Sequence, residues 1–255
     1  YQISTLHMLT NVEASRFKKC DKRRNDFNQC LSDVVYEGFK ALDKPLKSHG
    51  LPSLHYIEFP SDVIIEVGNS TYGLAQKFSK FKSIGLSNPE RVTARLEFGP
   101  VVSTLTIEAS YAEITWQMDY EAQGTTVLLP LNLQTSLELI MGEFPQLQLS
   151  RFVHGQVLGN PTFTFTIELE EYEKGATYFK VIHSDFGMET DDFTPRFKQL
   201  FSDKLLNDEF NSAINEKGVQ IFSIYKPLHG YMAPHFGSIF NSFFEKVPVA
   251  ELFVD

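Results

Sequence analysis

The chain has 255 residues, 42% of them hydrophobic and 22% charged, and 23 Lys and Arg against 32 Asp and Glu give a formal charge of −9. That composition excludes a disordered or collagen-like chain. Without a basic stripe the acidic balance argues against nucleic acid and against an anionic membrane surface. No run approaches about 18 consecutive apolar residues, so neither a membrane-spanning helix nor stable membrane insertion is expected.

Residues 1–19 show no period and read as an N-terminal extension of one domain covering 1–255. The first residue is Tyr1, as removal of a signal peptide or trimming would leave, and the expectation is a secreted protein. Cys20 and Cys30 are the two cysteines. Two ligands cannot complete a four-ligand zinc site, and the spacing is not C-x-x-C. A short-loop disulfide fits, contributing about 3 kcal/mol on the chain-entropy estimate. Two free thiols of a reducing compartment are the alternative.

The spacing of Leu31, Val34, Val35, Phe39 and Leu42 predicts a first helix over 29–44. Pro45, Gly50 and Pro52 end it. Asn69-Ser70-Thr71 is the one N-x-[ST] sequon, so Asn69 is the candidate glycosylation site. Over 92–185 the period falls to two. Phe163, Phe165, Ile167 and Leu169 point one way, while Thr162, Thr164, Thr166 and Glu168 point the other. Ile114, Trp116, Met118 and Tyr120 alternate likewise, and a large antiparallel sheet is the simplest reading. The helical period then returns over 204–247. Its apolar stripe runs through Phe210, Ile214, Ile221, Tyr225, Leu228, Met232, Phe236, Ile239 and Phe243. The stripe predicts one long helix, or shorter helices kinked at Pro227 and Pro234 in the same line.

These halves imply an α+β fold in which a long C-terminal helix is wrapped by a highly curved antiparallel sheet. The seam between them suits an apolar guest in a Phe- and Met-rich lining. The candidate lining is Ile221, Tyr225, Met232, Phe236 and Phe240 on the helix stripe. Facing them on the strands are Trp116, Met118, Phe163 and Phe165, with Val34 and Val35 of the first helix closing one end. Ordinary core reads identically in sequence.

The order of short motifs resembles the takeout and juvenile hormone-binding protein family of insects. The early pair Cys20 and Cys30 before a helix is similar to its N-terminal motif. Gly50-Leu51-Pro52-Ser53-Leu54 resembles its G-x-P-x-L segment, and Ile84-Gly85-Leu86-Ser87 its I-x-G-L-S segment. Leu200-Phe201-Ser202-Asp203 with Ile214-Asn215-Glu216 resembles L-F-x-x-D and L-N-E. Phe244-Glu245-Lys246-Val247-Pro248 resembles the F-x-K-V-P ending. Gly218 stands where the family often has Trp, and Leu129-Pro130-Leu131-Asn132-Leu133 replaces a glycine-rich strand. The resemblance implies one elongated domain with an internal hydrophobic tunnel, secretion into haemolymph or a similar fluid, and carriage of an apolar ligand.

Motifs for chemistry are absent from the sequence: no G-x-S-x-G, no phosphate loop and no G-x-G-x-x-G. His229 and His235, six apart, fall on different faces of a helix, so no metal is expected. The reading is therefore a non-enzymatic carrier of an extended apolar molecule (a terpenoid such as juvenile hormone, a fatty acid or a carotenoid) with no cofactor and no nucleic-acid partner. Tyr225, Trp116 or a buried Thr would donate one hydrogen bond to its polar head. The alternatives are a surface-acting signalling or storage protein with a filled core, and an esterase on the same ligands.

Overall fold

The computed structural model describes residues 18–68, 73–125, 130–142, 161–190, 193–198, 201–216 and 226–254. The fold is α+β. Strand β1 (Cys20–Asp21) and helix α1 (Phe27–Ala41) come first, followed by a single 3-10 turn at Lys47–His49. Ten strands follow: β2 (Tyr56–Glu58), β3 (Val63–Gly68), β4 (Gly73–Ile84), β5 (Arg91–Glu97), β6 (Val102–Ser110), β7 (Glu113–Thr125), β8 (Pro130–Gly142), β9 (Thr162–Glu173), β10 (Thr177–Glu189) and β11 (Phe193–Lys198). Helices α2 (Lys204–Asn215), α3 (Pro227–Phe244) and α4 (Val249–Leu252) precede β12 (Phe253–Val254).

The strands form two curved antiparallel sheets. One has the order β10-β9-β6-β5. The other has the order β11-β8-β7-β4-β2, with β3 also paired to β4. Strands β2 and β3 share one edge of β4, at Lys82–Ile84 and Gly73–Phe78 respectively. Between those stretches a bulge shifts the register of β4 against β7 from Ser79 to Lys82. Lys80 sits in it with a φ of 51°, and its ammonium lies 2.8 Å from Asp119 of β7. The bulge puts Phe78 and Phe81 both in the core, three residues apart.

The period-two stretch from Thr162 is strand β9, and its Phe163, Phe165, Ile167 and Leu169 are all buried. They pair across with Ala109, Ile107, Leu105 and Ser103 of β6, so one face of the four-stranded sheet is continuously apolar. The opposite face carries the alternating Thr and Glu side chains, as expected for a sheet wetted on one side.

The predicted first helix 29–44 is observed two residues earlier at its start and three shorter at its end. The strands extend beyond the predicted 92–185 in both directions. Where the sequence predicts one long or kinked helix over 204–247, the described residues hold two helices against different sheets: α2 lies on β11, and α3 on β10. Pro227 occupies the first turn of α3, where its missing N–H costs nothing; residues 217–225 before it lie outside the described residues. Pro234 lies inside α3.

Helix α2 begins with Asp203 accepting from the Leu206 N–H at 3.1 Å. On its far side Asn211 acts as a surrogate strand partner. Its amide donates to the Phe197 carbonyl at 2.9 Å and accepts from the Phe197 N–H at 2.8 Å. Strand β11 is an edge strand of its sheet, and this pairing covers part of that edge. Cys20 and Cys30 form a disulfide that ties β1 to α1. Strand β1 in turn pairs in parallel with β12, Cys20 opposite Phe253, joining the start of the described chain to its end. Among the described residues no helix is long and apolar enough to cross a membrane.

Candidate functional site

Two helices stand on the apolar face of the four-stranded sheet, each pinned by polar side chains. Ser32 of α1 accepts from the Ala94 N–H of β5 at 2.8 Å, and its own hydroxyl reaches Asn28 O at 2.7 Å. Helix α3 is pinned to β10 by two contacts. A bulge between Val181 and His183 interrupts the pairing of β10 with β9, and the Val181 N–H donates to Asn241 Oδ1 at 2.8 Å. Ser184 donates to the Ala233 carbonyl at 2.9 Å. Gly237 makes this approach possible. A Cβ there would lie 2.9 Å from Ser184 Cβ, and closer still to its hydroxyl.

A cavity of about 240 Å³ lies between the helices. Leu105, Ile107, Phe165 and Leu169 of the central strands β6 and β9 form its floor. One wall is the α1 face of Leu31, Val34, Val35, Gly38 and Phe39, continued by Leu42 just past its end, spaced at three and four residues. The other wall is Phe236, Ile239, Phe240, Phe243 and Phe244 of α3. Leu46, Leu51, Leu54 and Leu86 close one part, and Cys20, Leu252 and Phe253 another. Among the described residues the lining contains no polar side chain. The sheet floor is buried, whereas Val34, Val35, Ile239, Phe240 and Phe243 are only partly so. The accessible apolar surface therefore belongs mainly to the helices.

The structure sorts the sequence candidates into two groups. Val34, Val35, Phe165, Phe236 and Phe240 line this cavity. Trp116, Met118, Phe163 and Met232 do not; they are buried in the shared core. Trp116 and Met118 sit on β7, which belongs to the six-stranded sheet. Trp116 packs edge-on against Phe81, and its indole N–H donates to Ser83 Oγ at 3.2 Å. That donor is spent on the fold and is not offered to a guest. Phe163 is held between Tyr111 and Phe186, at 5.4 and 5.3 Å between ring centroids. Ile221, Tyr225 and Asn69 lie outside the described residues.

Sequence reasoning missed Leu105, Ile107 and Leu169 on the floor and Ile239 and Phe243 on the wall. The alternation of Leu105, Ile107 and Ala109 in the sequence predicts a strand, but nothing in a single strand tells which sheet it joins. Phe236 is lining and core at once. Its ring lies 5.0 Å from those of both Phe165 and Phe186, and 5.9 Å from that of Phe59.

Among the described residues, ionisable groups stay outside the cavity lining. His229 and His235 on α3 are held below the usual imidazole value by burial. For His229, Lys226 adds to the effect and Asp185 opposes it. Tyr120, its hydroxyl donating to Gln76 Oε1 at 3.1 Å, is pushed up to about 12 by burial. Near Leu54 and Leu86 a Ser–Asp–His set occurs. Ser87 donates to Asp43 Oδ1 at 2.9 Å, and His55 Nδ1 is 3.6 Å from the same oxygen. The carboxylate stands between the other two, so no imidazole is placed to take the serine proton as nucleophilic catalysis requires. Among the described residues no cluster of His, Cys, Asp and Glu could hold a metal ion.

An α+β chain whose paired helices roof a cavity lined, among the described residues, by apolar side chains alone has the form of a binder of apolar small molecules. The chain belongs to the haemolymph juvenile hormone binding protein family, whose model matches residues 3–144 and 155–254. Its fold is similar to the crystal structure of Epiphyas postvittana Takeout 1, at a TM-score of 0.65 and 16% identity over 93% of this chain and 99% of that one. A second similarity, to the crystal structure of lipopolysaccharide binding protein, has a TM-score of 0.30 at 13% identity. It covers 82% of this chain and 39% of that one, and carries no argument. No curated protein matches the chain significantly.

Proposed function

We propose that the protein is a non-enzymatic, extracellular carrier of an apolar small molecule held between α1, α3 and the four-stranded sheet. The lining of the cavity, apolar throughout among the described residues, carries this reading. An ionised head group buried there would have no side-chain partner among the described lining residues, at a cost of several kcal/mol. The guest is therefore a hydrocarbon or a neutral ester or ether, or an amphiphile whose head stays at the mouth. The disulfide and the membership of a haemolymph-protein family support an extracellular place of action.

Size narrows the ligand class. A cavity of about 150 Å³ takes one benzene, roughly 25 Å³ per carbon, so 240 Å³ holds about ten carbons. A terpenoid or a medium-length acyl chain fits that scale, and a polyene of carotenoid length exceeds it. Ten buried carbons contribute about 8 kcal/mol at about 0.8 kcal/mol each. Association costs of at least about 4 kcal/mol leave an affinity near millimolar. Micromolar binding requires a longer guest that also covers the partly exposed Val35, Phe240 and Phe243.

Displacement of a fluorescent apolar probe by methyl esters of increasing length tests the reading. Affinity should rise about fourfold per carbon and flatten after about ten buried carbons. The neutral ester should outcompete the matching fatty-acid anion. Failure of every chain length to displace the probe would return the protein to the surface-acting alternative. Mass spectrometry of solvent extracts from protein of natural source then identifies the guest.

A further inference from the structure

The connection between β5 and β6, residues 98–101, projects two apolar side chains into water: Phe98 is 46% exposed and Val101 70%. Val254 of β12 is 44% exposed at the same end. It pairs with Asp21, and its carbonyl accepts from the Lys22 N–H. Phe98, Phe27 and Phe253 form a triangle of rings with centroids about 6 Å apart. Phe253 also lines the cavity, so one ring touches both the exposed hairpin tip and the binding site.

The charge around this tip departs from that of the whole chain. Residues 18–24 hold five cations, Lys18, Lys19, Lys22, Arg23 and Arg24, and the carboxylates around them are Asp21, Asp26, Glu97 and Glu251, a local balance of +1 in a chain of net charge −9. Lys22 lies over the rings of Phe98 and Phe253, at 5.2 and 5.4 Å. Arg23 pairs with Asp21 at 3.2 Å, Arg24 with Asp26 at 2.8 Å and Lys19 with Glu251 at 3.4 Å. Glu97 stands at the base of the hairpin. The two arginine side chains are about two-thirds exposed. Ion pairs so open to water are weak, and a guanidinium re-pairs readily with phosphate oxygens in a two-point contact. Exposed apolar side chains within a belt of Lys and Arg are the composition of an interfacial lipid contact. The overall acidity argued against an anionic surface, but it averages over this end.

We infer that the hairpin tip Phe98–Val101, Val254 and the basic run 18–24 form a docking surface for an anionic phospholipid bilayer, beside Phe253 of the cavity lining. The inference rests on the carrier reading only for its purpose; docking is measured without any guest. Sedimentation of the full chain with vesicles of phosphatidylcholine, alone or with phosphatidylserine added, tests it. Binding is expected to the mixed vesicles and to weaken with salt, as screening demands. Val101→Asp with Phe98→Ser should lower it at least tenfold, and each of Lys18→Gln and Arg24→Gln about fivefold. These surface variants should keep the circular dichroism spectrum and probe affinity of the parent. Absence of vesicle binding, equal binding to neutral vesicles, or binding that survives Val101→Asp with Phe98→Ser overturns the proposal. Probe uptake in the same variants without vesicles reads the carrier function separately, so the two proposals fail independently.

Discussion

Filling the cavity from its wall separates a ligand site from an accidental void. Val35 lies on α1 in the cavity lining and is only partly buried. Val35→Trp adds about seven heavy atoms, or about 175 Å³ at the roughly 25 Å³ per carbon of a benzene-filled cavity. Of the 240 Å³, about 65 Å³ remains, room for two or three carbons. A guest thus loses contact for about seven carbons, close to 6 kcal/mol, and about four powers of ten in affinity. Stability moves the other way, because a side chain entering free space gains contacts and leaves no clash. Were there no space, overpacking would cost about 1–3 kcal/mol, lowering the melting temperature by several degrees. The assay is probe displacement beside differential scanning calorimetry on parent and variant. The expected result is lost binding with an unchanged or raised melting temperature. Parent-like binding by a folded Val35→Trp protein would refute the placement of the guest between α1 and α3.

Phe236→Ala should do the reverse: its ring is shared with Phe59, Phe165 and Phe186, so about 3–5 kcal/mol of folding energy goes with it, measured by chemical denaturation. Gly237→Ala should destabilise although alanine is the better helix former by about 1 kcal/mol, because its Cβ meets Ser184; adding Ser184→Gly should recover most of the loss in the same melts. Tyr111→Phe should raise the melting temperature by a few degrees. The Tyr111 hydroxyl is buried and has no hydrogen-bond partner among the described residues, a situation that costs about 1–3 kcal/mol; a lowered melting temperature would contradict this. Acidification should destabilise the fold through His229 and His235. Their folded values lie below 6.5, so the unfolded chain binds more protons, and stability falls as pH drops through 6.5 towards those lower values. Melts across that window should flatten in a His229→Gln, His235→Gln protein.

The parts of the fold legible in the sequence are those where one face alone is buried. Strand β9 is the clearest: Thr and Phe alternate because its outer face is wet, and every inward residue is buried. Helix α1 was legible for the same reason at the helical period. Strands β3 and β4 were not. In β3, Val63 and Ile65 are buried while Ile64, between them, is exposed, so the alternation is hidden by an apolar residue facing out. In β4 the bulge at Lys80 sets Phe78 and Phe81 three apart, which reads as a helical spacing. Strand β11 carries Pro195, and it survives because an edge strand has N–H groups that no neighbouring strand needs. The C-terminal stripe had a steady period across two helices that pack on different sheets, because period reports a buried face and not what buries it. The same limit explains the site. Trp116 and Leu105 both alternate inward on strands, and only the sheet order decides that Leu105 meets the cavity and Trp116 the core.

That sheet order also accounts for the cavity itself. Ser32 fixes α1 over β5, and Asn241 and Ser184 fix α3 over β10. In the order β10-β9-β6-β5 these are the two edge strands. They stand three spacings apart, about 14 Å at 4.7–4.9 Å per strand. Two helices in contact lie about 8–10 Å apart. Helices held over the edges therefore cannot close on one another, and a slot of about 4–6 Å is left above β6 and β9. That is the width of one hydrocarbon chain. Phe240 reaches into the slot from α3, its ring 5.8 Å from that of Phe165, and Phe39 from α1 at 6.2 Å from the same ring. The polar anchors, absent from any apolar pattern, are thus what turn a two-helix, one-sheet core into a space for a guest.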